Sequence, residues 1–123
     1  MKQKILVVDD DLGTVTLLAS RLEAAGYIVL KGYNGQEALA VVKQEAPDLI
    51  ILDRMMPKMD GLKTCALLKS DTRFLKTPVI MLTASAEKSD QDLSIEVGAD
   101  AFINKPVNIP ELIHKIQELI SRK

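Results

Sequence analysis

Ile5-Leu6-Val7-Val8 is a continuous apolar run that ends in three acidic residues, Asp9-Asp10-Asp11. Such a short run is typical of a strand buried on both faces, as in a parallel sheet covered by helices. Directly after it, Val15, Leu18 and Leu22 recur with the spacing of one helix face. The chain therefore begins with a strand followed by a helix, the unit from which α/β folds are built.

The same unit repeats along the rest of the chain. Asn34 can cap the second helix, and Asn108 with Glu111 resembles the capping box that begins a helix. Further strands are predicted at 27–30, 49–52, 79–82 and 101–104, and further helices at 62–70 and 87–97. The sequence therefore predicts an α/β fold, a doubly wound, flavodoxin-like parallel sheet of five strands with five helices. The strand order 2-1-3-4-5 is that of a common fold of this kind, and we adopt it as the expectation.

Composition limits the classes of protein that the chain can belong to. Its 123 residues fit one domain, 1–123, with no attached output domain, and 47% of them are hydrophobic. Sixteen basic residues against seventeen acidic ones give a net charge of −1. The chain has no basic excess that would attract nucleic acid or a membrane, so we expect no direct contact with either. The single cysteine, Cys65, excludes an internal disulfide and indicates a reducing cytoplasm.

Polar side chains follow four of the five predicted strands. Asp9 and Asp10 follow the first strand, Asp53 the third, Thr83 the fourth and Lys105 the fifth. In an open α/β sheet the carboxyl ends of the strands meet at one edge, and ligands bind there. We therefore expect these five side chains to lie together.

The types of these residues indicate phosphoryl chemistry. Two carboxylates 4 Å apart repel by about 4 kcal/mol at an effective dielectric near 20, so Asp9, Asp10 and Asp53 favour a divalent cation. Oxygen ligands suit Mg²⁺, with Mn²⁺ as the alternative. Asp53 is the candidate nucleophile, while Thr83 and Lys105 can hold phosphoryl oxygens. The competing interpretation of the acidic triplet is a solvated turn that caps the first helix.

Four motifs with these residues resemble one known family. They are the residues at 5–10, 52–61, 81–84 and 105–106, which read ILVVDD, LDRMMPKMDG, MLTA and KP. In this order and spacing, the chain resembles a response-regulator receiver domain, similar to the stand-alone chemotaxis and cell-cycle regulators of bacteria. The resemblance covers essentially all 123 residues.

The resemblance implies a role for each residue of the acidic site. Asp53 would accept a phosphoryl group from the phosphohistidine of a sensor histidine kinase or a histidine phosphotransfer protein. Asp10, Asp53 and the backbone carbonyl of Met55 would ligate Mg²⁺, with Asp9 acting through water. Such a domain is no enzyme in the ordinary sense, because it catalyses only its own phosphorylation and a slow dephosphorylation. Met55 cannot orient an attacking water by hydrogen bonding, so we expect a long-lived phosphoryl group.

The resemblance also implies a switch and an output surface. Thr83 would be coupled to Phe102 on the fifth strand, where many relatives have tyrosine. The fourth helix, fifth strand and fifth helix would bind a downstream protein or output domain, in a monomer or a phosphorylation-dependent dimer. In the predicted fourth helix, Leu93 and Val97, with Ala86 before them, form the expected apolar line.

Four alternatives remain open at this point. The chain can be a receiver cut from a larger regulator, or a degenerate receiver that switches without phosphate. A haloacid-dehalogenase-type phosphatase would use Asp9 and Asp11, but Gly13 stands where Thr or Val is expected and the chain is short for that fold. A flavodoxin-like flavin-binding protein would need a phosphate-binding loop in place of the aspartates that follow the first strand.

Overall fold

The computed structural model describes residues 2–84 and 88–121, which form alternating strands and helices. The strands are β1 (Lys4–Val8), β2 (Ile28–Gly32), β3 (Leu49–Asp53), β4 (Val79–Thr83) and β5 (Ala101–Asn104). The helices are α1 (Leu12–Ala24), α2 (Gly35–Glu45), α3 (Gly61–Lys69), α4 (Lys88–Glu96) and α5 (Ile109–Ser121). None of the helices in these two ranges has the length and apolar character needed to cross a membrane.

The five strands form one parallel sheet in the order β2-β1-β3-β4-β5, as predicted. Val8 of β1 pairs with Leu52 of β3, and Asp53 pairs with Leu82 of β4. Thr83 then pairs with Asn104 of β5. This register brings the carboxyl ends of four strands to one edge, which is where the sequence places its polar residues.

Alternate residues of the apolar strands supply two separate cores. Ile5 and Val7 of β1 face the core that packs against α1 and α5, while Leu6 and Val8 face the core on the other side of the sheet. That second core contains residues of α2 and α3, together with Val97 just after α4. The strands are apolar without interruption because both of their faces are buried.

Side chains at the helix ends agree with the predicted starts. Asn34 Oδ1 accepts a hydrogen bond of 2.9 Å from Glu37 N, and Asn108 Oδ1 accepts one of 3.0 Å from Glu111 N. Asp60, which the sequence analysis did not single out, caps α3 by accepting from Lys63 N at 2.9 Å. These carboxylate and amide oxygens satisfy backbone donors that have no partner within the helix.

Some predicted boundaries were wrong by a few residues. The second strand was predicted at 27–30 but spans Ile28–Gly32, and α3 begins at Gly61 and ends before Ser70. α4 ends at Glu96, and the predicted start at 87 lies outside the described residues. The apolar line expected on α4 was wrong at Leu93, which is 41% exposed. Its neighbour Ser94 is fully buried in its place, and Ala86 lies outside the described residues.

A lysine at the end of α3 binds the segment that leads to β4. Lys69 Nζ donates hydrogen bonds of 3.1 Å to the Leu75 carbonyl and 2.6 Å to the Thr77 carbonyl. The same ammonium forms an ion pair of 3.2 Å with Asp100, just before β5. Asp100 in turn accepts a hydrogen bond of 2.8 Å from the Val79 amide at the start of β4. The contacts join α3, β4 and the start of β5 at the end of the sheet opposite to the acidic residues.

Candidate acidic site at the strand ends

Three carboxylates converge at the carboxyl edge of the sheet. Oxygen atoms of Asp9, Asp10 and Asp53 all lie within 4.8 Å of one another. Asp9 and Asp53 are buried, whereas Asp10 is exposed, so the cluster opens to solvent on one side. At this separation, each pair of charges repels by about 3 kcal/mol at an effective dielectric near 20.

Lys105 offsets part of this repulsion. Its Nζ lies 2.9 Å from Asp9 Oδ2 and 3.1 Å from Asp53 Oδ1, so one ammonium bridges two buried carboxylates. β5 ends at Asn104, directly before the lysine, and the Lys105 amide donates to the Thr83 carbonyl at 2.8 Å. The Lys105–Pro106 peptide bond that follows is cis. Position and charge therefore both direct this side chain into the acidic cluster.

The environment changes the acidity of these groups. Burial, together with the charge of Asp9, raises the pKa of Asp53 to about 6, although Lys105 acts in the opposite direction. Burial acts to lower the pKa of Lys105, but the hydrogen bond to Asp9 and the charge of Asp53 outweigh it, so this pKa is raised. At pH 7 Asp53 is thus mostly ionised, and Lys105 keeps its proton.

Thr83 and Phe102 lie on one face of the sheet. Thr83 is buried at the end of β4 and pairs with Asn104, and Met81 pairs with Phe102. Since alternate residues of a strand share a face, Phe102 and Thr83 both face the side covered by α2, α3 and α4. Phe102 is half-buried against the core on that side. The two predicted switch residues are therefore near neighbours in the sheet.

Met55 lies in the loop between β3 and α3. Its side chain is 64% exposed, and its sulfur lies 3.0 Å from Arg54 Nη1. The loop closes on itself because the Gly61 amide donates to the Arg54 carbonyl at 2.9 Å. A Cβ atom on Gly61 would collide with the Asp53 carbonyl oxygen, so α3 begins in direct contact with the backbone of Asp53. The loop thus begins after Asp53 and ends beside the Asp53 backbone.

Asp11 takes no part in the carboxylate cluster. It caps α1, where its Oδ1 accepts a hydrogen bond of 2.9 Å from Gly13 N, and Thr14 Oγ1 donates to its Oδ2 at 3.2 Å. These hydrogen bonds lower the pKa of Asp11. The capping interpretation of the acidic triplet is thus right for Asp11 alone, while Asp9 and Asp10 belong to the cluster.

The cluster has the properties of a site for a hard divalent cation. All three side chains offer carboxylate oxygens, which Mg²⁺ and Mn²⁺ prefer over softer ligands. Burial and then the charge of Asp9 raise the pKa of Asp53, and a cation would offset the repulsion between these two carboxylates. The exposed position of Asp10 leaves an approach from solvent.

Comparison with known proteins agrees with the fold. Residues 5–117 match the family model of the response regulator receiver domain. The chain is 43% identical over 122 residues to the alkaline phosphatase synthesis transcriptional regulatory protein PhoP of Bacillus subtilis, covering 99% of this chain and 50% of PhoP. The chain spans about half the length of the curated relatives that it matches.

Solved structures give the same result. The chemotaxis protein CheY4 of Vibrio cholerae superimposes with a TM-score of 0.92 at 30% identity, covering 97% of this chain and 99% of CheY4. The signal receiver domain of a signal transduction histidine kinase from Syntrophus aciditrophicus gives a TM-score of 0.90 at 38% identity, covering 97% and 90%. The chain belongs to the response-regulator receiver family, whose members are phosphorylation-activated signalling switches. This result confirms the predicted family and fold class, and it does not favour the phosphatase alternative.

Proposed function

We propose that the protein accepts a phosphoryl group on Asp53 in a magnesium-dependent reaction, from a sensor histidine kinase or a histidine phosphotransfer protein. The observation that supports this most strongly is the cluster of Asp9, Asp10 and Asp53 with Lys105 bridging two of its members. Asp53 has an ammonium 3.1 Å from its oxygen and lies at the end of β3, the middle strand of the sheet. The reaction transfers a phosphoryl group to the protein itself and turns over no metabolite.

Asp10, Asp53 and the Met55 carbonyl would hold Mg²⁺, with Asp9 supporting it through water. The cation would neutralise the carboxylates and draw charge from the phosphoryl oxygens. Asp53 itself forms the new bond: a carboxylate oxygen attacks phosphorus, and the bond from phosphorus to the donor breaks, leaving its electron pair on the donor. No general base is required, because Asp53 is mostly ionised at neutral pH.

Lys105 and Thr83 would hold the phosphoryl group after transfer. Lys105 already contacts an Asp53 oxygen at 3.1 Å, so a group bonded to that carboxylate comes within reach of the ammonium. Thr83 adds a hydroxyl at the end of the neighbouring strand. Rearrangement of Thr83 would then change the packing of Phe102 on the same sheet face. The coupling would act by packing alone, because Phe102 has no hydroxyl that could form a hydrogen bond.

The output surface is proposed to be the face formed by α4, β5 and α5. Leu93 and Ile95 on α4 are 41% and 58% exposed, so this helix offers apolar surface to a partner or a second copy. The chain's small net charge of −1 supports a protein partner rather than nucleic acid. The free, buried thiol of Cys65 suits a reducing cytoplasm, where we place the protein.

The test is incubation with Mg²⁺ and acetyl phosphate, followed by intact mass measurement. We expect one added phosphoryl group, which is lost in Asp53→Ala and when Mg²⁺ is removed by a chelator. Asp92→Asn is the matched control, since Asp92 is an exposed aspartate on α4 that is not a member of the cluster. If Asp53→Ala labels as fully as Asp92→Asn, the proposal fails. If the wild-type chain takes no phosphoryl group where a known receiver does, the phosphate-independent switch is favoured.

A further inference from the structure

The first residue of α2 lies against the loop between β3 and α3. Gly35 is buried, and a Cβ atom built on it would collide with Thr64 Oγ1 and lie 2.9 Å from the Met59 carbonyl oxygen. The Met59 Cβ would be only 3.0 Å away. A glycine at this position therefore allows a backbone approach that any side chain would prevent.

The contact at Gly35 continues to the backbone of Asp53. Thr64 Oγ1 donates a hydrogen bond of 2.8 Å to the Asp60 carbonyl, at the end of the loop. Gly61, the next residue, packs directly on the Asp53 carbonyl, as described above. α2, the start of α3 and the strand end that carries Asp53 thus form one continuous set of close contacts.

We propose that Gly35 is a positioning residue for the β3–α3 loop. Its close approach to Met59 and Thr64 holds the loop in the conformation that presents Asp53 and the Met55 carbonyl to the cation. The inference rests on the proposed function, since it concerns the same metal site. It adds a residue of α2, a helix that contributes no side chain to the acidic cluster.

An added methyl group at Gly35 would displace the loop rather than α2. Asn34 and Glu37 fix the start of α2, because Asn34 Oδ1 accepts from Glu37 N at 2.9 Å and Glu37 Oε1 accepts from Tyr33 N at 2.9 Å. Ala38 and Val42 then anchor the helix in the core without any exposure. In the loop, by contrast, Met56 is the one side chain between Met55 and Asp60 that is buried.

Gly35→Ala tests the proposal, and Gly32→Ala is its matched control. A Cβ on Gly32 would have its nearest neighbour at 3.5 Å, an ordinary contact, so the same change there adds a methyl without a collision. Two readouts are needed. The first is the ¹³C-methyl spectrum of Met55, Met56 and Met59 in the metal-free protein, and the second is the Mg²⁺ dissociation constant by titration calorimetry.

In Gly35→Ala we expect shifted Met55 and Met59 methyl signals and Mg²⁺ binding weaker by about tenfold, as for other residues that orient metal ligands. Gly32→Ala should match the wild type in both readouts. Equal methyl spectra and equal magnesium affinity in the two variants would overturn the inference. So would full recovery of magnesium affinity in Gly35→Ala/Thr64→Ala, because Thr64 alone would then account for the effect and Met59 would not be involved.

If Gly35→Ala does not fold, the double variant Gly35→Ala/Thr64→Ala replaces it. This variant removes the Thr64 hydroxyl, the nearest neighbour of the added methyl, and leaves the close contact with the Met59 carbonyl. The Met59 signal should again shift and Mg²⁺ should again bind more weakly, and unchanged values would overturn the inference. Phosphoryl labelling separates the two proposals. If the wild type and Gly32→Ala are both phosphorylated, the proposed function stands whatever the result for Gly35→Ala. If neither is phosphorylated, the proposed function itself fails.

Discussion

Replacing Asp53 by asparagine should stabilise the metal-free protein at neutral and alkaline pH. The pKa of Asp53 is raised from 3.8 to about 6, by burial first and by the charge of Asp9 second. Ionisation of Asp53 is therefore less favourable in the folded state than in the unfolded chain. As pH rises from about 4 to 6, folding loses the stability that the protonated carboxyl group provides.

The pKa values give the size of this effect. Each pKa unit corresponds to about 1.4 kcal/mol, so a pKa of about 6 against 3.8 corresponds to about 3 kcal/mol at pH 8. Asparagine resembles the protonated carboxyl group in size and carries no charge. Asp53→Asn should therefore gain up to about 3 kcal/mol in free energy of unfolding at pH 8 and almost nothing at pH 4. Mg²⁺ should reduce the gain at pH 8, because the cation stabilises the wild-type carboxylate.

Urea unfolding followed by circular dichroism in the presence of a chelator measures both values. Asp71→Asn provides a control of opposite sign, since hydrogen bonds from Arg73 lower the pKa of Asp71 to about 2. Neutralising Asp71 should not stabilise the protein at pH 8. A gain for Asp53→Asn that is the same at pH 4 and pH 8, or no gain at either, would refute the argument from burial and the Asp9 charge.

Three further predictions follow from single positions. Gly61→Ala places a methyl against the Asp53 carbonyl and should cost about 1–3 kcal/mol in urea unfolding and slow phosphoryl labelling; wild-type behaviour in both would contradict the packing described. Ala46, which follows α2 with a φ of 46°, is in the left-handed region, so Ala46→Gly should raise the free energy of unfolding by about 0.5–1 kcal/mol, and a loss would contradict this. Met55 cannot orient water by hydrogen bonding, so purified phosphoprotein should lose its phosphoryl group slowly; a half-life of seconds by intact mass would be inconsistent with that role.

The convergence of the acidic residues could be predicted because it depends on local patterns. Asp9, Asp53, Thr83 and Lys105 each follow an apolar run, and the register of a parallel sheet brings such ends together. The sequence cannot show that one lysine bridges two carboxylates or that the pKa of Asp53 rises. Both depend on distances and burial that exist only once the strands have packed.

The errors in the predicted elements have the same origin. The predicted range of β2 ended two residues too early because β2 lies at the edge of the sheet. There Lys31 and Gly32 pair with Val7 and Val8 although neither is a large apolar residue. Tyr27, which the prediction included in the strand, lies just before β2 and is a partly buried residue that packs against the core. On α4 the apolar residues are too few to define a face, and in the part from Asp92 to Glu96 Ser94 is buried whereas Leu93 is exposed.

The contact between Gly35 and the loop also escaped the sequence analysis. A glycine at the first position of a helix is common, and its spacing from Met59 and Thr64 shows no periodicity. Its importance lies in the close approach of α2 to Met59 and Thr64, which the order of residues does not encode. A search for glycines at helix starts that follow a strand of the same sheet would have been the nearest available signal.

Contacts of α3 hold the segment that follows α4 in place. Lys69 joins the end of α3 to Asp100, and Cys65 Sγ lies 3.5 Å from the Val97 carbonyl, just beyond the last turn of α4. The segment that follows α4 is therefore held against α3 by these two contacts. If a change at Thr83 moves α4, we therefore expect the carboxyl end of the helix to move less than its amino end.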